Sequence, residues 1–126
     1  MGTRAQIDIR QGNKTVVRVY SEFDGFPHNI LPALRAAASA GYSKPLSIAR
    51  AVIKQFGGTD ILITDEDKSD YVSYRYAVDI SSKPWRVRQT KMAGWELPTN
   101  PDGSCDDSFT KGKLLPAVTR SFRIGQ

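Results

Sequence analysis

The sequence predicts an α+β fold, an antiparallel or mixed sheet of about five strands with two helices packed on one face. Two segments with strand character open the chain, two segments with helical periodicity follow, and three more segments with strand character come after them. This ββααβββ order keeps strands and helices apart along the chain, which is typical of α+β domains.

The first two strands form a predicted hairpin. Residues 5–10 alternate apolar and polar side chains, as a strand with one buried face does. Residues 11–14 (QGNK) offer turn chemistry, and residues 15–20 (TVVRVY) are rich in β-branched side chains, which favour strands. The chain then turns towards the first helix through residues 20–29 (YSEFDGFPHN).

Two helices are predicted next. Asn29 is placed as the N-cap of a first helix over residues 30–38, and Gly41 suits its C-terminal end. Ser43 is placed as the cap of a second helix, which ends before the glycine pair at 57–58. The apolar side chains of this second helix recur at helical spacing and predict one face packed on the sheet: Leu46, Ala49, Val52, Ile53 and Phe56.

The second half of the chain returns to strand patterns. Residues 60–64, 71–80 and 85–91 are predicted strands, the last two joined by a turn that contains Pro84. Glycine and proline interrupt residues 92–113, which predicts a loop-rich segment. Residues 114–126 suit either a final strand or a short helix, and the pattern does not decide between them.

Composition narrows the class of protein. A chain of 126 residues with 40% hydrophobic and 25% charged side chains is expected to form one globular domain, residues 1–126. Its apolar stretches are too short to cross a bilayer, so we expect no membrane partner. Cys105 is the single cysteine, which excludes an internal disulfide and a zinc site built on several thiolates. We therefore expect a cytoplasmic protein without a metal or another cofactor.

The net charge of the chain indicates the kind of ligand that it binds. The net charge of +5 favours anionic ligands. Because side chains alternate across a strand, the face of the sheet away from the helices should collect five arginines, which we name as candidate ligand-binding residues: Arg10, Arg18, Arg75, Arg86 and Arg88. A guanidinium donates two parallel hydrogen bonds to phosphate, and a sheet with arginines and aromatic side chains can hold single-stranded nucleic acid.

A simpler interpretation competes with that one. The solvent-exposed face of an antiparallel sheet is ordinarily charged, and Asp8 and Asp79 are predicted to lie on the same face as the arginines. In this interpretation the arginines pair with these carboxylates and bind no ligand.

Catalysis has weaker candidates. His28 is the only histidine, and Asp24 is close enough in sequence to orient it as a general base. The same residues also suit a tight turn before a helix, with no catalytic role. The acidic run at 65–70 does not fit a calcium loop, because Asp70 and Tyr76 stand where that loop needs glycine and a carboxylate.

Several short motifs resemble a family of small uncharacterised bacterial and phage proteins. That family begins with Met-Gly-Thr-Arg and carries a Tyr-x-His-x-Asp-Gly-Tyr-Pro box after a strand pair. The corresponding segments here are Met1-Gly2-Thr3-Arg4, Tyr20 with Asp24-Gly25-Phe26-Pro27, Gly57-Gly58 and Ser73-Tyr74-Arg75-Tyr76. Glu22 replaces the histidine of the box and Phe26 its tyrosine, so a role that needs that imidazole is not expected here.

These observations and the resemblance lead to one functional expectation and one alternative. We expect a non-enzymatic phage-like or prokaryotic accessory protein that binds an anionic ligand (a nucleotide or a nucleic acid) or a host protein, with action against host defence as one such role. The corner at 24–28 is expected to lie beside the arginine-bearing face. The alternative is a small hydrolase or transferase acting on a phosphorylated substrate. An uncovered strand edge could also support a homo-oligomer.

Overall fold

The structure, a computed structural model, describes residues 3–22, 25–55, 61–96 and 113–125. Its elements follow the chain as β1 (Ala5–Gln11), β2 (Lys14–Ser21), α1 (Pro27–Ser39), α2 (Pro45–Gln55), β3 (Ile61–Ile63), a 3₁₀ turn (Ser69–Tyr71), β4 (Tyr74–Asp79), β5 (Trp85–Lys91), β6 (Gly94–Glu96), β7 (Lys113–Leu115) and β8 (Val118–Ile124).

Six strands form one mixed sheet in the order β3-β2-β1-β4-β5-β8. Strands β1 and β4 run parallel at its centre, and the other neighbouring pairs are antiparallel. The α+β prediction is therefore confirmed, with six strands in the sheet instead of about five. Strands β6 and β7 pair with each other outside it.

The core lies between the sheet and the two helices. The sheet contributes one side chain from every second position, such as Ile7, Ile9 and Val78, each fully buried. Helix α1 buries Ile30 and Leu34 against the same face. Because the apolar sets of strands and helices belong to one cluster, both helices cover a single face, and no helix of the described residues lies on the opposite face of the sheet.

The N-terminus of α1 differs from the prediction. The helix begins at Pro27, with Phe26 as its N-cap residue and no side-chain cap. The Phe26 carbonyl accepts hydrogen bonds from the amides of Asn29 (2.9 Å) and Ile30 (3.0 Å). Asn29 is thus inside the first turn and was wrongly placed as the cap. A proline in the first helical position has the backbone angle that a helix needs, which explains the earlier start.

The buried stripe of α2 is also rotated from the predicted one. Ile48, Ala49 and Val52 are buried, whereas Leu46 in the first turn is 43% exposed. Phe56, which the prediction placed on this face, lies outside the described residues. Within the described residues, neither helix combines the length and hydrophobicity needed to cross a membrane.

The end of the chain is more ordered than its sequence indicates. The segment 92–113 contains β6 and the first residue of β7, so it is not wholly loop, and residues 97–112 lie outside the described part. The tail forms β8, which pairs with β5 along its whole length from Trp85↔Ile124 to Lys91↔Val118. The undecided tail is therefore an edge strand.

Candidate functional site

The face of the sheet without helices, which we call the open face, is organised by strand register. One row of directly paired residues crosses four strands from Arg10 on β1 to Asp79 on β4, Arg86 on β5 and Arg123 on β8. The next row on the same face includes Asp8, Ala77, Arg88 and Ser121. On β1, β4, β5 and β8, register thus places four arginines within two neighbouring rows: Arg10, Arg86, Arg88 and Arg123.

Two of the five arginines named from sequence, Arg18 and Arg75, form ion pairs with Asp8. Arg18 Nε donates to Asp8 Oδ1 at 2.8 Å, and an Arg75 amino group lies 3.6 Å from Asp8 Oδ2. The hydrogen bond to Asp8 raises the pKa of Arg18 above its ordinary value. Asp8 is only 3% exposed. For Arg18 and Arg75, the structure has the ion pairing that the simpler interpretation describes.

A loop from Thr64 to Tyr71 covers this part of the open face. The Gln6 side chain, fully buried, accepts a hydrogen bond from the Lys68 amide (2.7 Å) and donates to Asp8 (3.2 Å) and Asp67 (3.3 Å). Arg18 also reaches the Asp65 carbonyl at 3.2 Å. The acidic run at 65–70 is therefore the covering segment of a polar network.

Within this loop the Asp67 carboxylate accepts hydrogen bonds from the Ser69 hydroxyl and, at 2.9 Å, from the Ser69 amide. These bonds, joined by Gln6 and by the charge of Arg18, lower the pKa of Asp67 from 3.8 to about 2. Because the folded protein binds this proton less readily than the unfolded chain, the carboxylate stabilises the fold fully above about pH 4 and loses that effect as the pH falls to about 2.

Asp67→Asn is expected to flatten the acid side of the stability profile. The loss at neutral pH should be below about 1 kcal/mol, because the group is exposed and screened by solvent. Melting temperatures measured from pH 2 to pH 5 test this, the range following from the lowered pKa. The control is Asp70→Asn in the same loop, whose side chain makes no hydrogen bond to the described residues. An unchanged acid limb in Asp67→Asn would contradict the assignment.

The other three arginines named from sequence, together with Arg123, line an open depression on this face. We call it the arginine groove, and its arginines are Arg10, Arg86, Arg88 and Arg123. Its volume is about 510 Å³, and Gly12, Asn13, Ala77, Asp79 and Ser121 contribute to its walls. Among the described residues, the ion pairs within 4.0 Å join Asp8 to Arg18 and Arg75, and Glu66 to Lys68. The four arginines of the groove take part in none of these pairs. The groove is therefore cationic.

Asp79 is the one carboxylate among the described lining residues. Its Oδ1 accepts hydrogen bonds from the Ser81 hydroxyl (2.6 Å), the Ser81 amide (3.0 Å) and the Gly12 amide (3.1 Å). The Ser81 bonds, the Gly12 amide and the nearby charge of Arg86 lower the pKa of Asp79, so it is ionised at neutral pH. One carboxylate against four guanidinium groups leaves a formal charge of +3 in the groove.

No aromatic side chain lies with these arginines on the open face of the described strands: Phe122 is among the lining residues of the groove, but its side chain packs against the core. Tyr74 and Tyr76 point to the helical side, where Tyr76 is buried. The open-face positions of β4, β5 and β8, all described, carry no aromatic residue. Tyr20 lies on the open face at the far side of the sheet, with the Lys68 ammonium 5.1 Å from its ring. The expected combination of arginines with a stacking platform is absent from the described groove.

The described part of the corner, residues 25–28, does not border the groove. The exposed ring of His28 stacks on the ring of Phe26, with 5.4 Å between the two ring centroids. The Phe26 ring lies 6.0 Å, centroid to centroid, from the ring of Tyr74 on the helical side of the sheet. This contact lies at the start of β4, five residues from Asp79, so roughly 17 Å of strand separates the corner from the groove row. The expectation that the corner lies beside the arginine face is wrong, and Asp24 lies outside the described residues.

The residue that sequence reasoning missed is Arg123. It enters the groove because β8 is a strand and pairs Arg123 directly with Arg86. A signal was present, since Ser121-Phe122-Arg123-Ile124 alternates polar and apolar side chains, as a half-buried strand does. The neighbouring Arg120 interrupts the pattern, because it falls on the apolar side of the alternation.

Other kinds of site find less support in the described part of the chain. Its histidine, aspartate and glutamate side chains include no group of three arranged to hold a metal ion. The sequence matches no protein-family model, no curated protein and no solved structure at a significant level. The function must therefore be argued from the geometry of the open face.

Proposed function

We propose that this protein is a non-enzymatic binding protein that engages an anionic ligand, a nucleotide or a nucleic acid, in the arginine groove. One observation carries the proposal. Arg86 and Arg123 stand directly opposite each other on adjacent strands, with Arg88 two residues along β5, and none of the three forms an ion pair with the described residues.

Such an arrangement costs stability in the free protein. Like charges directly opposite on neighbouring strands destabilise a sheet by roughly 0.2–1 kcal/mol per pair. An anion between the two guanidinium groups removes that repulsion and accepts charge-assisted hydrogen bonds from both. The cost is understandable if the groove is occupied in the working state of the protein.

Binding is favoured over turnover by the groove's composition. Asp79 is the carboxylate available among the described lining residues, and its Oδ1 already accepts three hydrogen bonds from the two turns. A general base works best with a pKa near the operating pH, and these hydrogen bonds lower the pKa of Asp79, which makes it a poor proton acceptor. His28, the catalytic candidate from sequence, lies at the opposite end of the sheet on its helical side. The hydrolase or transferase alternative has less support for these reasons.

The biological setting is proposed from sequence alone. The resemblance to small bacterial and phage proteins supports a prokaryotic or viral accessory role in the cytoplasm of a bacterium or host cell, including action against host defence. A host protein with an acidic surface would use the same guanidinium groups as a nucleic acid. Capture of a partner that survives nuclease treatment separates these two occupants of the groove.

Charge reversal at position 123 tests the proposal. Arg123→Glu is expected to weaken binding of ATP and of an oligo(dT) probe at least about tenfold, because it places a carboxylate among the groove arginines. The same change should stabilise the fold by roughly 0.5 kcal/mol through a new pair with Arg86. Affinity by fluorescence anisotropy and unfolding in urea measure the two effects.

The matched control is Arg120→Glu, which changes the net charge equally on the same strand but on the opposite side of the sheet. It should leave both affinities within about twofold at roughly 200 mM salt, where long-range attraction is screened. Equal losses in the two variants would place the binding site outside the groove. A wild-type protein that binds neither probe would overturn the proposed function.

A further inference from the structure

We propose that the group recognised in the arginine groove is a compact polyphosphate, free or carried by a nucleotide, and not an extended strand of nucleic acid. This inference rests on the proposed function and narrows its ligand class.

The positive charge of the open face stops on two sides of the groove. Towards β2, Arg18 and Arg75 form ion pairs with Asp8. Towards the other end of the strands, the next row on β5 and β8 is Thr90 and Thr119, whose hydroxyls lie 3.1 Å apart. A nucleic-acid strand is followed along its length by cations over several nucleotides. The described residues of this face form instead one localised cationic area.

Donors converge within that area on two adjacent strands. Register places Arg86 opposite Arg123, and Arg88 opposite Ser121, all on the open face. Strand spacing and rise set these four side chains at the corners of a rectangle of roughly 5 by 7 Å. We call Arg86, Arg88, Ser121 and Arg123 the donor quartet. Three guanidinium forks and one hydroxyl can surround several phosphate oxygens at once.

Asp79 separates this quartet from the fourth arginine. It lies between Arg10 and Arg86 in the same row and is ionised at neutral pH. Arg10 in turn donates to the Asn13 carbonyl at 2.8 Å. The continuous positive surface is thus limited to β5 and β8, and it matches a short chain of phosphates better than a long one.

The quartet also offers no aromatic ring for a base to stack on. The described open-face residues of β4, β5 and β8 are arginine, alanine, aspartate, serine and threonine. Stacking on an aromatic ring contributes about 1–3 kcal/mol per base in single-strand binding proteins. Without it, affinity should follow the number of phosphates, and a nucleoside should add little.

Calorimetric titration of the full chain at roughly 150 mM salt tests this inference. The probes are phosphate, pyrophosphate, tripolyphosphate, ATP, adenosine and oligo(dT) of increasing length. Affinity should rise with each added phosphate, ATP should bind within about threefold of tripolyphosphate, and adenosine should not bind. Arg88→Ala should weaken tripolyphosphate binding about tenfold or more, because it removes charge-assisted hydrogen bonds.

Ser121→Ala provides a second variant that keeps the charge and should reduce tripolyphosphate affinity about threefold to tenfold. Arg120→Ala is the control, and thermal melts establish that each variant is folded. Oligo(dT) binding that strengthens with length and is not displaced by tripolyphosphate would overturn the inference and leave the proposed function standing. Failure of every anionic probe would overturn both. Tripolyphosphate binding that is unchanged in Arg88→Ala and Ser121→Ala would exclude the quartet as its site.

Discussion

Replacing Asp8 by alanine is expected to lower the free energy of unfolding by about 3–5 kcal/mol. The Asp8 side chain is 5% exposed and lies 2.8 Å from Arg18 and 3.6 Å from Arg75. Without it, the largely buried Arg18 loses its ion-pair partner and keeps only the weaker attraction of Asp65 and Asp67, and the Gln6 side chain loses an acceptor. Urea unfolding of the purified variant measures the loss.

Glu66→Ala is the matched control, because Glu66 also pairs with a cation, Lys68 at 3.3 Å, but is 67% exposed. That change should cost less than about 1 kcal/mol. The double variant Asp8→Ala with Arg18→Leu should recover part of the loss, since the unpaired charge is gone. If Asp8→Ala costs no more than Glu66→Ala, the buried network is not a main source of stability.

The same change has a consequence for binding. Removing Asp8 frees Arg18 and Arg75 and extends the positive charge across the open face from β5 to β2. Oligo(dT) affinity should therefore rise in Asp8→Ala under conditions where the variant is folded, while the preference for tripolyphosphate over oligo(dT) should shrink. Asp8 thus has two effects: it stabilises the fold and limits the size of the cationic area.

Gly25→Ala is expected to lose about 3 kcal/mol of stability. A Cβ at position 25 would lie 2.6 Å from the Cβ of Ala5 and 2.8 Å from the carbonyl oxygen of Thr3. The backbone cannot easily shift, because the Gly25 amide donates to Thr3 (2.8 Å) and its carbonyl accepts from the Tyr76 hydroxyl (2.8 Å). Thermal and urea unfolding both report the loss.

Gly12→Ala is the control that separates the effect of close packing on stability from the effect of backbone strain. Gly12 has φ of +65°, but a Cβ there would meet nothing within 4 Å, so its substitution should cost about 1–2 kcal/mol from backbone conformation alone. A loss in Gly25→Ala no greater than in Gly12→Ala would show that the corner tolerates the added methyl group. A larger loss in Gly25→Ala than in Gly12→Ala would support a structural role for the Gly25–His28 corner.

That corner shows why local sequence was an incomplete guide to the site. Its histidine and neighbouring acid have the chemistry of a general base, and the turn residues were recognised as an alternative. The choice depended on Gly25 meeting Ala5 and on Tyr76 reaching the Gly25 carbonyl, contacts between residues 20 and 51 positions apart. Contacts between residues so far apart in the sequence leave no periodic pattern in it.

The arginines show the same limit of local sequence patterns. Alternation along β1, β4 and β5 correctly assigned their outward faces, because side chains point to opposite faces with a period of two. Alternation cannot state which strands are neighbours. The parallel pairing of β1 with β4 brought Arg75 to Asp8, and the pairing of β5 with β8 brought Arg123 to Arg86.

By itself, the sequence determined the fold class, both main hairpins, the two helices and the side of the sheet that bears the arginines, because turn chemistry and hydrophobic periodicity are local properties. Only the tertiary structure decided which arginines are neutralised, which converge in the groove, and that the His28 corner belongs to the opposite side. Those outcomes depend on strand order and register, which are set by the burial of the whole core and by no single segment.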